Sequence, residues 1–259
     1  MTKIGKIYTI ASGKGGVGKT TLTINLAAAI AEFGKEVIIL DADLKMANIE
    51  ILLGMTSKPI TLQDVLSGNA EITDAIYDYP KIPGLKVITA GLFIEGLGNV
   101  DMKLLPEVIR TIKGMADFVI IDSPPGLEAG FTFSLQATDE VILVTMPTME
   151  SLTDTIKIKI VADRLGIPVT GTVLNMIHRD RLELSKDEIQ SVLETPIIAE
   201  IPFDTEIKRA AAVQEPIIIR NPKSAAGEAI KKLAADLIGV KYDLEKPKSF
   251  FSKFSFFKK

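Results

Sequence analysis

The sequence predicts an α/β fold: a single doubly wound, mostly parallel sheet flanked by helices, with an amphipathic tail after it. Three observations carry that expectation. A β-branched apolar run, a glycine-rich loop and a helix-forming run follow one another without a break over residues 7–31. Two later apolar runs, 37–40 and 118–121, lead straight into aspartates; in open parallel sheets the carboxyl ends of strands face the ligand. No repeat and no linker divides residues 1–240, and 259 residues at 47% hydrophobic can bury one large core.

The first unit sets the chemistry. Ile7-Tyr-Thr-Ile-Ala11 reads as a buried strand, and Thr21 to Ala31 as a helix that stops at Gly34. Between them Gly13-Lys-Gly-Gly-Val-Gly-Lys-Thr-Thr21 spells G-x-x-x-x-G-K-T, a phosphate-binding loop in the context such a loop requires. Gly13, Gly15, Gly16 and Gly18 let the backbone curl so that its N–H groups, Val17 included, point inward at close range. The helix starting near Lys19 adds the positive end of its dipole. Lys19 then reaches the β- and γ-phosphates, the Thr20 hydroxyl takes a Mg²⁺ position, and Thr21 completes the cradle. A nucleotide with Mg²⁺ is the expected occupant, and the family resemblance given below makes the nucleotide ATP.

The rest of the chain is read in order. Glu36–Leu40 is a strand that delivers Asp41 and Asp43 to the loop, with Asp41 expected beside the metal. Residues 55–84 read as connecting structure with short helical pieces at Leu62–Leu66 and Ile72–Tyr77, followed by a strand at Leu85–Thr89 and a glycine-spaced loop at Gly91–Gly98. A helix around Met102–Ile112 carries Leu104, Leu105, Val108, Ile109 and Ile112 as a core stripe. Phe118–Asp122 is a strand whose carboxylate orients Mg²⁺ or its waters. The prolines of Ser123-Pro-Pro-Gly126 stiffen the next turn and leave movement to Gly126 and beyond.

Glu140–Val144 is another buried strand, and a helix over Ser151–Leu165 stops at Gly166-Ile-Pro168. Val169–Asn175 is a strand, with His178 at the surface beyond it. Ser185 and Glu188 form a capping box. Pro196–Asp204 is the last strand and its loop. Asn221-Pro222 is expected to cap a helix running to about Leu237, with Gly239 just past its end.

Composition excludes several classes. No run of about 18–20 apolar residues is present, so no helical membrane span is expected. No cleavable leader is expected either, because the N-terminus runs straight into the first strand. The absence of cysteine removes disulfides, thiolate metal sites and thiol nucleophiles, and fits a cytoplasmic setting. Residues 246–259 hold five lysines and no acid, which leaves 25 basic against 33 acidic side chains in residues 1–245. An acidic body argues against a surface that coats nucleic acid.

Residues 241–259 differ in character from the domain before them. Within 250–257, five of eight residues are phenylalanine. On a helical wheel Phe250, Phe251, Phe254 and Phe257 share one arc, flanked by Lys253 and Lys258, while Phe256 falls outside it. About ten residues make ~15 Å of helix, half a bilayer core, so the segment can lie in a membrane interface but cannot cross it. Four phenylalanines at ~1.5 kcal/mol each gain ~6 kcal/mol. Ordering the segment at ~1–2 kcal/mol per residue costs as much or more. One tail alone is expected to bind lipid only marginally.

Lys14 narrows the reading further. The run Lys14-Gly-Gly-Val-Gly-Lys-Thr20 resembles the deviant Walker A motif of the MinD/ParA group of ATPases. Asp43 and its loop, Asp-Ser-Pro-Pro-Gly126, the strand ending in Asn175, Ile-Pro-Phe-Asp204 and the tail extend the resemblance over nearly the whole chain. It implies that Lys14 reaches across a dimer interface to the partner's nucleotide and that Asp43 positions the attacking water. It also implies that Asn175 reads the adenine edge while Pro202, Phe203 and Asp204 pack beside the base. Two departures stand out: Lys45 replaces the family's usual glycine, and Thr148 its usual glutamate. Whether Glu150 takes over from that glutamate is open in the sequence.

The function implied is an ATP-bound homodimer that holds two tails to an anionic membrane at the inner face of the cell membrane. Hydrolysis releases it, a protein partner or activator regulates it, and it positions cell division or other polar machinery. A ParA-like DNA or cargo partition ATPase and a flagellar-number regulator are the alternatives. The former needs a basic dimer surface, for which Lys208-Arg209 is a weak signal, and an iron–sulfur carrier of the same group needs cysteines.

Overall fold

The computed structural model describes residues 5–55, 58–91 and 100–242. The expected loop residues 92–98 and the tail from residue 243 onward, with Phe250, Phe251, Lys253, Phe254, Phe257 and Lys258, lie outside the described residues. Eight strands form one sheet: β1 (Lys6–Ala11), β2 (Val37–Asp41), β3 (Tyr77–Asp78), β4 (Leu85–Ile88), β5 (Phe118–Asp122), β6 (Glu140–Thr145), β7 (Val169–Ile177) and β8 (Ile197–Pro202). Their order is β3-β4-β2-β5-β1-β6-β7-β8, and every pairing is parallel except β3 with β4. The helices are α1 (Lys19–Glu32), α2 (Ile49–Leu52), α3 (Leu62–Leu66), α4 (Leu105–Lys113), α5 (Ala129–Leu135), α6 (Met149–Arg164), α7 (Lys186–Leu193), α8 (Thr205–Ala212), α9 (Ile217–Arg220) and α10 (Ala225–Ile238).

Alternation within the buried strands assigns side chains to two cores. Val37 and Ile39 of β2 join Ile120 of β5 under α1 and α10, whereas Ile38 and Leu40 join Val119 and Ile121 under α3 and α4. Because both faces are covered, the strands read as continuous apolar runs rather than as alternating ones. Helix α1 is buried nearly all round, with Leu22, Ile24, Leu26 and Ile30 at most 3% exposed. Each such side chain contributes about 1.5–3 kcal/mol relative to exposure. That packing fixes the position of the loop at the helix's start.

Tertiary structure moved several expected boundaries. Ile72–Ala75 is a 3₁₀ turn, and Tyr77 belongs to the antiparallel edge strand β3 rather than to a helical piece. The stripe expected from Met102 breaks into a 3₁₀ turn and α4, with Pro106 in the first turn of α4; Leu104 is turned out of the core. Strand β7 continues two residues past Asn175 to Ile177, while β8 and its loop lie within the expected residues 196–204. Helix α6 starts early because the Thr148 hydroxyl accepts from Ser151 N. Helix α10 is capped by Ser224, which accepts from Gly227 N, instead of by Asn221. The capping box of Ser185 and Glu188 and the left-handed stops at Gly166 and Gly239 stand as expected.

Candidate functional site

Register brings the acids to the loop. The parallel pairs Ile10↔Asp122 and Asp41↔Asp122 place both aspartates at the carboxyl edge of the sheet, where β1 turns into the glycine loop. Gly18 is left-handed (φ 85°) and caps α1 without a side chain. A Cβ there would stand 2.3 Å from Asn175 Nδ2, so only glycine fits between loop and β7. Gly13 is held by close approach instead: a Cβ would lie 2.2 Å from the backbone of Asp154 in α6.

Asp122 is the hub. Lys19 Nζ donates to its Oδ1 at 2.8 Å, Thr20 Oγ1 to its Oδ2 at 2.6 Å and Thr23 Oγ1 to its Oδ1 at 3.0 Å. Lys19 and Asp122 are both nearly fully buried. Thr23 was not anticipated from the sequence. Its signal was there, since a residue three positions after Thr20 and four after Lys19 shares their helix face.

Asp41 sits beside Asp122 but turns its carboxylate onto the next loop. Its Oδ1 accepts from Asp43 N and its Oδ2 from Asn48 N and Ile49 N, which fixes the loop's path. Burial, followed by the neighbouring Asp122 charge, pushes the Asp41 carboxyl up to about 8. Asp43 is raised by burial, against the opposing pull of the Met46 N–H that its Oδ1 accepts. Asp43 opens onto the same cleft as Lys14, Gly15, Gly16, Lys19 and Thr20. Apart from the turn at Gly15–Gly16, no loop or cap hydrogen bond among the described residues uses a backbone N–H from Gly15 to Thr20. Such a set of unspent donors at a helix start, beside a lysine and a hydroxyl, fits a polyphosphate.

The rim carries exposed pairs. Lys14 Nζ lies 2.8 Å from Glu150 Oε1, so Glu150, the residue near the lost family glutamate, engages this chain's own Lys14. Lys45 Nζ lies 2.7 Å from Glu128 Oε2 and ties the loop after β2 to the loop after β5. Nothing in the sequence signalled either pair. Gly126 N donates to Ser12 O, which anchors the second loop to the first.

The expected base contacts divide. Asn175 is buried, and its Nδ2 donates to Val17 O at 2.8 Å, bracing the loop from behind. Asp204 caps α8 through Glu206 N and reaches Ala226 N at the start of α10. Phe203 is partly exposed, stacks on His178 at 4.4 Å between centroids and has Lys208 Nζ above its ring. Pro202 ends β8 beside it. Thr148 is spent as the cap of α6.

Comparisons with known proteins agree with this geometry. The ParA family, described as NUBPL iron-transfer P-loop NTPase, matches residues 3–238. An uncharacterized ATP-binding protein of Methanocaldococcus jannaschii is 42% identical over 248 residues, covering 95% of this chain and 93% of the relative. The septum site-determining protein MinD of Synechocystis is 30% identical, covering 90% of each. Among solved structures, MinD of Pyrococcus horikoshii complexed with Mg-ADP matches with a TM-score of 0.86 at 37% identity, covering 90% of this chain and 96% of that one. The MinC:MinD complex of Aquifex aeolicus matches with a TM-score of 0.83 at 27% identity, covering 93% and 99%. A thiolate-held iron cluster is not open to this chain, which has no cysteine. The chain belongs to the MinD branch of the ParA family and is a P-loop ATPase.

Proposed function

We propose that this ATPase is a nucleotide-switched homodimer that binds an anionic membrane surface through its tail and positions division or other polar machinery. The observation that carries the reading is the division of the two lysines. Lys19 is buried in the cradle against Asp122, while Lys14 stands at the rim, where a second subunit could be reached. ATP is the substrate and Mg²⁺ its companion ion. Thr20 Oγ1 and Asp122 are the groups that would hold the ion. Among the described residues no three His, Cys, Asp or Glu side chains form a metal cluster, so phosphate and water oxygens would complete its shell. Bound Mg²⁺ neutralises charge developing on the phosphates.

Each protein group then has a task. The Gly15–Thr20 N–H groups and the dipole of α1 bind and orient the phosphates. Lys19, which pairs with Asp122, would turn to phosphate oxygens when nucleotide is bound, leaving Asp122 and Thr20 as the groups that would hold the ion. Asp43, held by Met46 N, orients the water for in-line attack. Lys14 leaves Glu150 to stabilise charge on the partner's nucleotide. Exposed Met46, Leu127 and Met149 flank Asp43, Glu128 and Glu150, and an apolar rim of this kind supports pairing of two copies.

Residues 241–259 serve as a separate attachment element in this reading. No described helix is long and apolar enough to cross a membrane, so attachment would be peripheral, at the inner face of the cell membrane. A single tail is marginal, but a dimer presents two, and the second binds at high effective concentration. A protein partner or activator acts on the same switch, as likeness to the MinD solved with MinC suggests. The test is sedimentation with phosphatidylglycerol liposomes and, separately, with duplex DNA, each with ATP and with ADP. Pelleting with liposomes in ATP is expected. Equal pelleting in both nucleotide states removes the switch, and pelleting with DNA alone replaces the membrane with nucleic acid.

A further inference from the structure

Thr23 is fully buried in α1, four residues after Lys19 and three after Thr20, and all three side chains meet Asp122 from one face of the helix. Its hydroxyl has one proton to give and two acceptors within reach, Asp122 Oδ1 at 3.0 Å and Lys19 O at 3.1 Å. In an α-helix that carbonyl also accepts from the amide four residues on, so the hydroxyl is an extra donor there. The hydroxyls of Thr111, Ser134, Thr153 and Thr155, also in helices, bond only the carbonyl four residues back, at 2.7–3.0 Å. Thr23 shares that habit and adds a carboxylate to it.

An ionised carboxylate offers about four lone-pair sites, two on each oxygen. On Asp122 the chain fills both at Oδ1, from Lys19 Nζ at 2.8 Å and Thr23 Oγ1, and one at Oδ2, from Thr20 Oγ1 at 2.6 Å. Oδ2 therefore keeps a lone pair free beside Thr20. Once Lys19 turns to phosphate oxygens, Thr23 is the one donor left on Oδ1 among the described residues. Its proton, shared until then between carbonyl and carboxylate, passes wholly to the stronger, charged acceptor.

We infer that Thr23 is a positioning residue: its hydroxyl holds Asp122 Oδ1 against α1 after Lys19 has left, so that Oδ2 stays turned, with Thr20, to the Mg²⁺ site. Thr23 touches neither nucleotide nor ion and acts through Asp122. The inference rests on the proposed roles of Lys19, Thr20 and Asp122. It explains why a third hydroxyl is buried under the loop when Lys19 alone would neutralise the acid. A lysine that leaves for the phosphates cannot also fix the carboxylate it leaves behind.

The test measures binding rather than turnover, on the full chain. A fluorescent, non-hydrolysable ATP analogue is titrated onto the native protein and onto Thr23→Val, in EDTA and over a range of Mg²⁺ concentrations. Valine keeps the branched shape and removes the hydroxyl; Thr23→Ala replaces it should that variant misfold. The Mg²⁺ needed for half of the tightening should rise about tenfold, the scale of a lost hydrogen bond to a charged group. Affinity in EDTA should change far less, because without an ion no aimed carboxylate is needed. Thr23→Ser should return the Mg²⁺ requirement to the native one. An unshifted requirement in the folded valine variant overturns the inference, and so does a serine variant that behaves like valine. Loss of affinity by the same factor in EDTA and in Mg²⁺ gives Thr23 a packing role and overturns it too. Asp122→Asn separates the inference from the reading beneath it. A native Mg²⁺ requirement in Asp122→Asn takes the ion away from Asp122 and removes that reading. A raised requirement in Asp122→Asn with none in Thr23→Val keeps the ion site and overturns the role of Thr23 alone. With both raised, Thr23→Val should add nothing to Asp122→Asn, and independent, additive shifts overturn the inference.

Discussion

The buried ion pair under the loop and the exposed pairs on its rim join the same kinds of side chain and behave differently. Lys19 and Asp122 are 7% and 2% exposed, and three donors converge on that one carboxylate. Lys14–Glu150 and Lys45–Glu128 are comparably short but solvent-accessible, with side chains 30% and 76% and 70% and 43% exposed. Removing one partner of a buried pair leaves an uncompensated charge, whereas solvent screens an exposed pair to little net worth. The interior pair therefore stores a fixed geometry, and the rim pairs can be exchanged for other partners without much loss. A switch needs both: a rigid cradle for the phosphates and a rim that changes hands.

The largest effect tests the interior. Asp122→Ala should destabilise the nucleotide-free protein by roughly 3 kcal/mol or more in urea unfolding, because Lys19 is left buried and unpaired. It should also abolish Mg²⁺-dependent nucleotide binding. A stability within error of the native protein would mean that the pair is not what holds the cradle.

Asp43→Ala comes next. It leaves the phosphate cradle untouched and removes the group set to orient water, so turnover should fall about 10²-fold while an ATP-bound dimer persists. Single-turnover hydrolysis with light scattering reads both, and normal turnover would unseat Asp43.

Contrast between the lysines sharpens the comparison. Lys19→Ala should abolish binding of a fluorescent ATP analogue, whereas Lys14→Ala should keep most of it and lose dimerisation and turnover. Equal loss of affinity in the two variants would erase the distinction between cradle and rim. Among the rim pairs, Glu128→Gln should leave the melting temperature unchanged, and a clear drop would show that the rim is structural.

The smallest effect is a slope in pH. The folded state holds the Asp41 proton up to about 8, while the unfolded chain releases it near 3.8. Between those values the folded state binds more protons, so this group's contribution makes stability fall as pH rises. Asp41→Asn should flatten that part of the profile in denaturant melts from pH 4 to 8, and an unchanged difference between the two proteins across the range would refute it.

The sequence by itself determined the fold class and the cradle. Glycine spacing, a lysine and a threonine at a helix start, and β-branched strands ending in acids are local patterns with local physical reasons, and β1, α1, β2 and β5 formed where they pointed. Thr23 was legible in the same way, through helical spacing. Tertiary structure alone decided which carboxylate became the hub. Asp41 and Asp122 look alike as strand-ending acids, yet sheet register put Lys19, Thr20 and Thr23 on Asp122 and gave Asp41 to the backbone of the next loop. Asn175 and Asp204 took bracing and capping bonds for the same reason: a polar side chain delivered into a crowded junction satisfies the nearest backbone group. Lys14–Glu150 and Lys45–Glu128 join residues 136 and 83 positions apart, and no periodicity reaches across such separations. Local propensity can place a residue on an element, but only the packing of elements chooses its partner.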